Sequence, residues 1–380
     1  MSSLHFDSEQ ANNLLAARRV VVKIGSALLV DSDHNEIRQP WMDSLIEDVV
    51  ACKKRGQEVV LVSSGSIALG RRVLKLPSGP LKLEETQAAA ACGQIRLAHT
   101  YQEALAKNGL IVAQVLLTPN DTEERQSYLN IRATLRNLLN LGIIPVINEN
   151  DTVTTPTNQY GDNDRLAARV ATMIEADCLV LLSDIDGLYT ADPSIDPSAE
   201  FIPEVHNLTS EIFNMAGDSR SGLGRGGMRT KVEAARIALN GGCAMIIARG
   251  DVLRPLQAIE KNGRCTLFLP DCSPAAARKT WIAGSLNPRG SLIIDEGAAH
   301  ALQQGKSLLS VGVKTVIGEF HRGDAVTVLS LDGTELARGL VAYNSEEAQK
   351  IMGCRSNKIE SILGYCGREE IIHRDDLALL

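Results

Sequence analysis

The chain has 380 residues, a formal net charge of −7, and 44% hydrophobic, 22% charged and 3% aromatic residues. At roughly 100–200 residues per domain this length suggests two domains, and the apolar fraction excludes a disordered or fibrous chain. No apolar run approaches the ~18–20 residues of a membrane span, and 39 basic against 46 acidic residues argue against a coat for nucleic acid or acidic lipid.

Along the chain, short β-branched runs alternate with longer stretches of helical spacing. The polar segment Met1 to Asn13 lacks the basic-then-apolar order of a secretory signal. Strands are expected at Val20–Ile24, Val59–Val62, Ile111–Leu117, Ile143–Ile147, Cys178–Leu182 and Ala244–Ala248. Helices are expected at Trp41–Lys54, Ile131–Leu141, Leu166–Ile174 and Val232–Leu239, where the apolar residues share one face. Continuous Val/Ile/Leu strands separated by helical crossovers describe a mainly parallel sheet buried on both faces. The first domain is therefore a three-layer α/β/α unit, placed at 16–270.

The texture changes after Pro270-Asp271-Cys272-Ser273-Pro274, which has the composition of a linker. Beyond it come shorter strand candidates, Ser291–Ile294, Val313–Ile317, Ala325–Leu329 and Gly339–Tyr343. Turn signals at Arg322-Gly323-Asp324 and Asp332-Gly333 separate them. A small β-rich domain is expected at 278–370. The eight cysteines form no C-x-x-C pair and the seven histidines no i, i+4 pair, so the cysteines read as small hydrophobes in a reducing cytoplasm and no metal site is expected.

In open α/β sheets ligands bind outside the carboxyl ends of the strands. Lys23 sits near the end of the first strand, in Val22-Lys23-Ile24-Gly25-Ser26. It is either an edge lysine reaching solvent or a phosphate contact, with Gly25 letting the phosphate approach. The second strand runs into Val62-Ser63-Ser64-Gly65-Ser66, whose hydroxyls either cap a helix or bind a carboxylate or phosphate. Asn148-Glu149-Asn150-Asp151 follows a buried strand, and Gly161-Asp162-Asn163-Asp164-Arg165 opens a helix. Capping explains one of the two acids in that turn but not both clusters. Asp151 suits an ammonium, Asn163 a carboxylate, and Asp164 a pair of lysines aimed at a reacting phosphate.

The loop Ser183-Asp184-Ile185-Asp186-Gly187 is either a nucleotide contact or a capped turn. Finally, Ser221-Gly222-Leu223-Gly224-Arg225-Gly226-Gly227-Met228-Arg229-Thr230-Lys231 opens the last helix. It matches neither a dinucleotide fingerprint in context nor a P-loop, because Thr230 precedes Lys231. Its glycines expose backbone N–H groups before a lysine at a helix start, which suits a polyphosphate; a structural loop is the alternative. Two lysines, an anion cradle and paired Asp/Asn clusters together point to phosphoryl transfer onto a small polar acceptor.

These motifs, in this order, resemble the amino acid kinase family over nearly the whole chain, and within it the branch that phosphorylates glutamate. The tail resembles a PUA domain through Gly290–Asp295, Phe320-His321-Arg322-Gly323-Asp324 and Gly339–Asn344. The resemblance implies ATP-dependent phosphorylation of the γ-carboxylate of L-glutamate, at the head of proline synthesis, with proline as inhibitor and Mg²⁺ carried on ATP. It assigns ATP contacts to Lys23, Ser183, Asp184, Arg225, Gly226, Gly227, Met228, Arg229, Thr230 and Lys231. Glutamate contacts fall on Ser64, Asp151 and Asn163, and the catalytic groups are Lys23, Lys231 and Asp164. It also implies a homo-oligomer, and a monofunctional form of bacterial type, since no reductase-sized segment follows.

Arg225 and Ser66 depart from the smaller residue and the alanine commoner in relatives. Aspartate, acetylglutamate, carbamate and uridylate kinases are the rivals within the family; one PUA-like tail in place of paired regulatory modules argues against the first. RNA binding through that tail is disfavoured by its 12 basic and 13 acidic residues from 275 onward and its few aromatics, Trp281, Phe320, Tyr343 and Tyr365.

Overall fold

The computed structural model describes residues 9–31, 34, 36–155, 157–216, 227–285 and 288–380. They divide into two compact units, Met1–Pro274 and Ala275–Leu380. The first is organised by an eight-stranded sheet made of β1 (Arg19–Ile24), β2 (Glu58–Ser63), β3 (Val112–Leu117), β4 (Ile144–Glu149), β5 (Cys178–Ser183), β6 (Glu204–Val205), β7 (Ala244–Arg249) and β8 (Cys265–Phe268). Their spatial order is β6-β8-β7-β5-β1-β2-β4-β3. From β7 across to β3 the neighbours run parallel. Beyond β7 the direction reverses: β8 is antiparallel to β7, and β6 runs parallel to β8.

Alternation along each strand explains why both faces are covered. Val20, Val22 and Ile24 of β1 enter one core with Val59 and Leu61 of β2 and Val180 of β5. Val21, Val60, Val62, Leu179 and Leu181 enter the other. Helices α1 (Gln39–Lys54), α2 (Ser66–Val73) and α3 (Leu83–Ala106) supply the first core, through Met42, Leu45, Val49, Leu69, Leu97 and Leu105. Helices α4 (Arg125–Asn140), α5 (Asn163–Met173) and α6 (Met228–Asn240) supply the second, through Leu135, Leu166, Val170, Val232 and Ala235. A period of two gives every central strand two apolar faces, and each needs its own helical layer.

Four of the eight cysteines behave as packing residues. Cys52, Cys178, Cys243 and Cys265 are buried, and Cys272 and Cys366 are exposed. Burial pushes the Cys52 thiol up to about 11 and that of Cys265 to about 12.

Strands β6 and β8 and helix α3 are among the elements of this unit that were not apparent in the sequence. The pair β6 and β8 escaped notice because the strands are only two and four residues long. Helix α3 escaped because much of its buried face is small: Ala89, Ala90, Gly93 and Ala104 leave a faint hydrophobic period. Those small residues let two helices touch through their backbones. A Cβ on Gly93 would lie 1.7 Å from the Ser66 carbonyl oxygen, and one on Gly70 would lie 1.7 Å from that of Ala89.

In the second unit α7 (Pro274–Ser285) begins at the last residue of the expected linker. Five strands follow: β9 (Gly290–Ile294), β10 (Val313–Gly318), β11 (Ala325–Leu329), β12 (Glu335–Leu340) and β13 (Leu377–Leu379). They are ordered β10-β9-β11-β12-β13, with β9 and β11 parallel and the other pairs antiparallel. Leu292, Val316, Val326, Val328 and Ile372 share its core. The expected strand Gly339–Tyr343 is corrected to Glu335–Leu340. The turn at Asp332-Gly333, with Gly333 at φ +86°, returns the chain at once, so pairing starts at Glu335 opposite Leu329. Val341 and Tyr343 are buried outside the sheet, which gave them a strand's apolar pattern.

Gly93→Ala is expected to cost at least about 1–3 kcal/mol, because the added methyl meets backbone that cannot yield. A lower urea midpoint with an unchanged slope would show it, whereas an unchanged midpoint would mean that α2 and α3 can separate freely.

Candidate active site

Lys23 follows Val21 on the same face of β1, the face whose core includes α5 and α6. Asp164 lies in the first turn of α5 and Lys231 in the first turn of α6. The Lys23 Nζ is 2.6 Å from Asp164 Oδ1, and the Lys231 Nζ is 3.1 Å from Asp164 Oδ2. Asp164 is fully buried, and the lysines are 9% and 7% exposed. A strand and two helices thus bring three charges, far apart in sequence, onto one carboxylate.

Burial by itself would raise the Asp164 carboxyl, but the two ammonium groups outweigh it and hold it down at about 2. Two lysines against one aspartate leave one net positive charge at the carboxyl end of β1. The Thr230 hydroxyl lies 3.2 Å from Asp164 Oδ2 and 2.8 Å from the Gly227 carbonyl. Beside Lys23, a Cβ on Gly25 would stand 3.8 Å from the ammonium nitrogen.

The two acids of the α5 turn divide the work. Asp162 is the N-cap, its Oδ1 accepting from the backbone N–H groups of Asp164 and Arg165 at 3.0 and 3.2 Å. Burial, with Asp164 nearby, raises its carboxyl. Asp164 caps nothing and serves the lysines.

On the β2–β4 side, Asn163 Nδ2 donates to Ser64 Oγ (2.8 Å), Asn148 Oδ1 (2.9 Å) and the Ser63 carbonyl (3.2 Å). Neither Ser63 nor Ser64 caps α2; that place belongs to Gly65 at φ +114°, a left-handed conformation that favours glycine. Ser66 Oγ donates to Asp151 Oδ2 at 3.4 Å. Asn148 Nδ2 donates to Ser66 Oγ at 3.4 Å, so Ser64, Asp151 and Asn163 are linked through Asn148 and Ser66. Glu149 accepts from the Tyr160 N–H at 2.6 Å, tying down the intervening loop, and burial raises its carboxyl.

The β5–β7 side is more open. Ser183 ends β5, opposite Arg249 of β7, and its hydroxyl donates to the exposed Asp184 at 2.9 Å. Gly227 is the N-cap of α6 and offers no side chain there. Met228 packs against the second core. Arg229 is exposed, with its Nε 3.7 Å from Glu233 Oε1. Arg225 and Gly226 lie outside the described residues. Gln94 and Tyr101 take part in the β2–β4 network but were not singled out in the sequence, whereas Asn148 stood in the polar cluster after the fourth strand without an assigned role.

A mainly parallel sheet with two buried lysines sharing one carboxylate at its strand ends is an arrangement that suits a phosphate anion. The family profile "Amino acid kinase family" matches residues 18–249, and the "PUA domain" profile matches residues 290–363. A relative named glutamate 5-kinase, from Paramagnetospirillum magneticum, is 60% identical over 366 residues, covering 96% of this chain and 99% of that one. Relatives of the same name from Agrobacterium fabrum and Bradyrhizobium diazoefficiens are 57% and 58% identical, covering 96% and 95% of this chain and 94% and 97% of theirs. The chain belongs to the amino acid kinase family. It is a kinase, and it groups with the relatives named glutamate 5-kinase.

Asp164→Asn would leave two buried ammonium groups without their anion, and is expected to cost about 3–5 kcal/mol at neutral pH. The folded carboxyl is held at about 2 against an ordinary 3.8. Its contribution is therefore complete above about pH 4 and fades as pH falls toward about 2. Urea unfolding of both proteins should show the wild-type advantage shrinking across that window; an advantage constant down to pH 2 would overturn the pairing.

Proposed function

We propose that the chain transfers the γ-phosphoryl group of ATP to the γ-carboxylate of L-glutamate, giving L-glutamyl 5-phosphate, the first step of proline biosynthesis. The observation that carries this is the buried Lys23–Asp164–Lys231 cluster beside a separate polar group of Ser64, Asp151 and Asn163. The name borne by the relatives supports glutamate as the acceptor.

A carboxylate is already ionised at neutral pH, so one of its oxygens attacks the γ-phosphorus without a base. The new P–O bond forms as the bond to the β,γ-bridging oxygen breaks, and ADP leaves with that electron pair. Lys23 and Lys231 neutralise charge on the transferring group, and Asp164 keeps both ammonium groups aimed at it. Gly227, Met228, Arg229, Thr230, Ser183 and Asp184 serve the nucleotide. Asp151 takes the acceptor's ammonium group. One of the two amide hydrogens of Asn163, now divided among three protein acceptors, turns to its carboxylate. The Ser64 oxygen accepts from Asn163, which leaves its own O–H to donate.

Magnesium fits as a chelate of ATP. Both carboxylate oxygens of Asp164 are engaged by lysines. Such an ion would neutralise β- and γ-phosphate oxygens while keeping most of its waters. Proline shares the α-carboxylate and ammonium of glutamate, which supports competition at Asp151 and Asn163 as the mode of feedback inhibition.

Trapping with hydroxylamine, using Mg-ATP and L-glutamate, L-aspartate or N-acetylglutamate, tests the assignment. Hydroxamate from glutamate, suppressed by proline, is expected; hydroxamate mainly from another carboxylate would move the specificity. Lys231→Ala should lower kcat by roughly 10²–10³ with little change in glutamate KM, the pattern of lost transition-state stabilisation. Near-normal turnover would remove Lys231 from the mechanism.

A further inference from the structure

Helix α3 presents Gln87, Gln94 and Tyr101 at intervals of seven residues, which puts them on one face of the helix. Each bonds a different segment on the β2–β4 side of the site. Gln87 Nε2 donates to the Thr154 carbonyl at 3.0 Å, in the stretch that follows Asp151. Gln94 Oε1 accepts from Asn148 Nδ2 at 2.9 Å. The Tyr101 hydroxyl donates to Ser63 Oγ at 2.9 Å. Gln94 is 8% exposed and Tyr101 fully buried, so their polar atoms are costly there unless bonded.

The orientation of Gln94 follows from its neighbours. Asn148 Oδ1 accepts from the Glu149 backbone N–H and from Asn163 Nδ2, both at 2.9 Å. A backbone N–H can only donate, so Asn148 must turn its own Nδ2 toward Gln94, and Gln94 must answer with Oε1. That leaves Gln94 Nε2 buried with no partner among the described residues. A residue kept only to fill space would avoid an unbonded buried donor, since leucine or methionine fills a similar volume without one.

We propose that Gln94 is a positioning residue for the carboxylate acceptor: it locks Asn148, Asn148 holds Asn163, and Asn163 holds Ser64. Gln87 and Tyr101 brace the two ends of the same relay. The inference rests on the assignment of Ser64, Asp151 and Asn163 to the acceptor under Proposed function.

The test is steady-state kinetics of the full chain carrying Gln94→Met, which keeps the side chain's length and removes the nearer of the two acceptors for Asn148 Nδ2, the other being Ser66 Oγ at 3.4 Å. Acceptor KM is expected to rise about 10-fold, with ATP KM and kcat within about threefold of wild type, the size expected for one net hydrogen bond lost from ground-state binding. The melting temperature should not fall, because an unbonded buried donor is removed as well. Gln94→Glu, which can still accept from Asn148, should return acceptor KM to within about threefold of wild type. Tyr101→Phe supplies a second variant with the same expected split if Gln94→Met does not fold.

Unchanged acceptor KM, or both KM values rising together with a loss of stability, would overturn the positioning role. If wild type uses another carboxylate in place of glutamate, only the identity of the acceptor fails, and the same split is read with that substrate. A wild-type enzyme that uses no carboxylate overturns both.

Discussion

One carboxylate carries the site. Asp164 receives Lys23 from a strand and Lys231 from a neighbouring helix, so α5, α6 and β1 are joined by charge as well as by packing. Without that anion two ammonium groups would face each other out of water, a state proteins avoid by losing a proton or unfolding. With it, the cluster stays cationic and desolvated, which suits a preorganised phosphate site. Stability and the proposed chemistry thus make the same demand on a single residue.

The sheet makes the arrangement available. Ligands of open α/β sheets bind outside the carboxyl ends of the strands, and β1 ends there with β2 on one side and β5 on the other. Asn163 belongs to the same helical turn as Asp164 but bonds toward β2 and β4. A single turn of α5 therefore joins the lysine cluster to the β2–β4 network.

Much of this was legible because it broke a rule. Lys23 stands in an otherwise apolar buried strand, and Asp162 and Asp164 are more acid than one helix cap needs. The structure accounts for both, one acid as cap and the other as counterion. Helix α3 broke no visible rule. Its alanines and glycines blur the apolar period, and Gln87, Gln94 and Tyr101 resemble solvent-facing residues until the partners that bury them are known. Gly93 likewise shows nothing in sequence of the carbonyl oxygen lying where its side chain would be. Val341 and Tyr343 failed in the opposite direction, since burial outside a sheet leaves the same apolar mark as burial within one.

The thiols give the protein an internal gauge of its own opening. Cys178 and Cys265 lie in strands of the main sheet and Cys52 in a helix against it, all buried, whereas Cys272 and Cys366 are open to solvent. Thiols pushed far above neutrality and shielded from water react only through molecules that have transiently come apart. The rate at which an alkylating reagent reaches them, set against the immediate reaction of the exposed pair, reads out how often the layers beneath the site separate. No probe needs to be added, because the chain already carries one set of thiols for the surface and another for the interior.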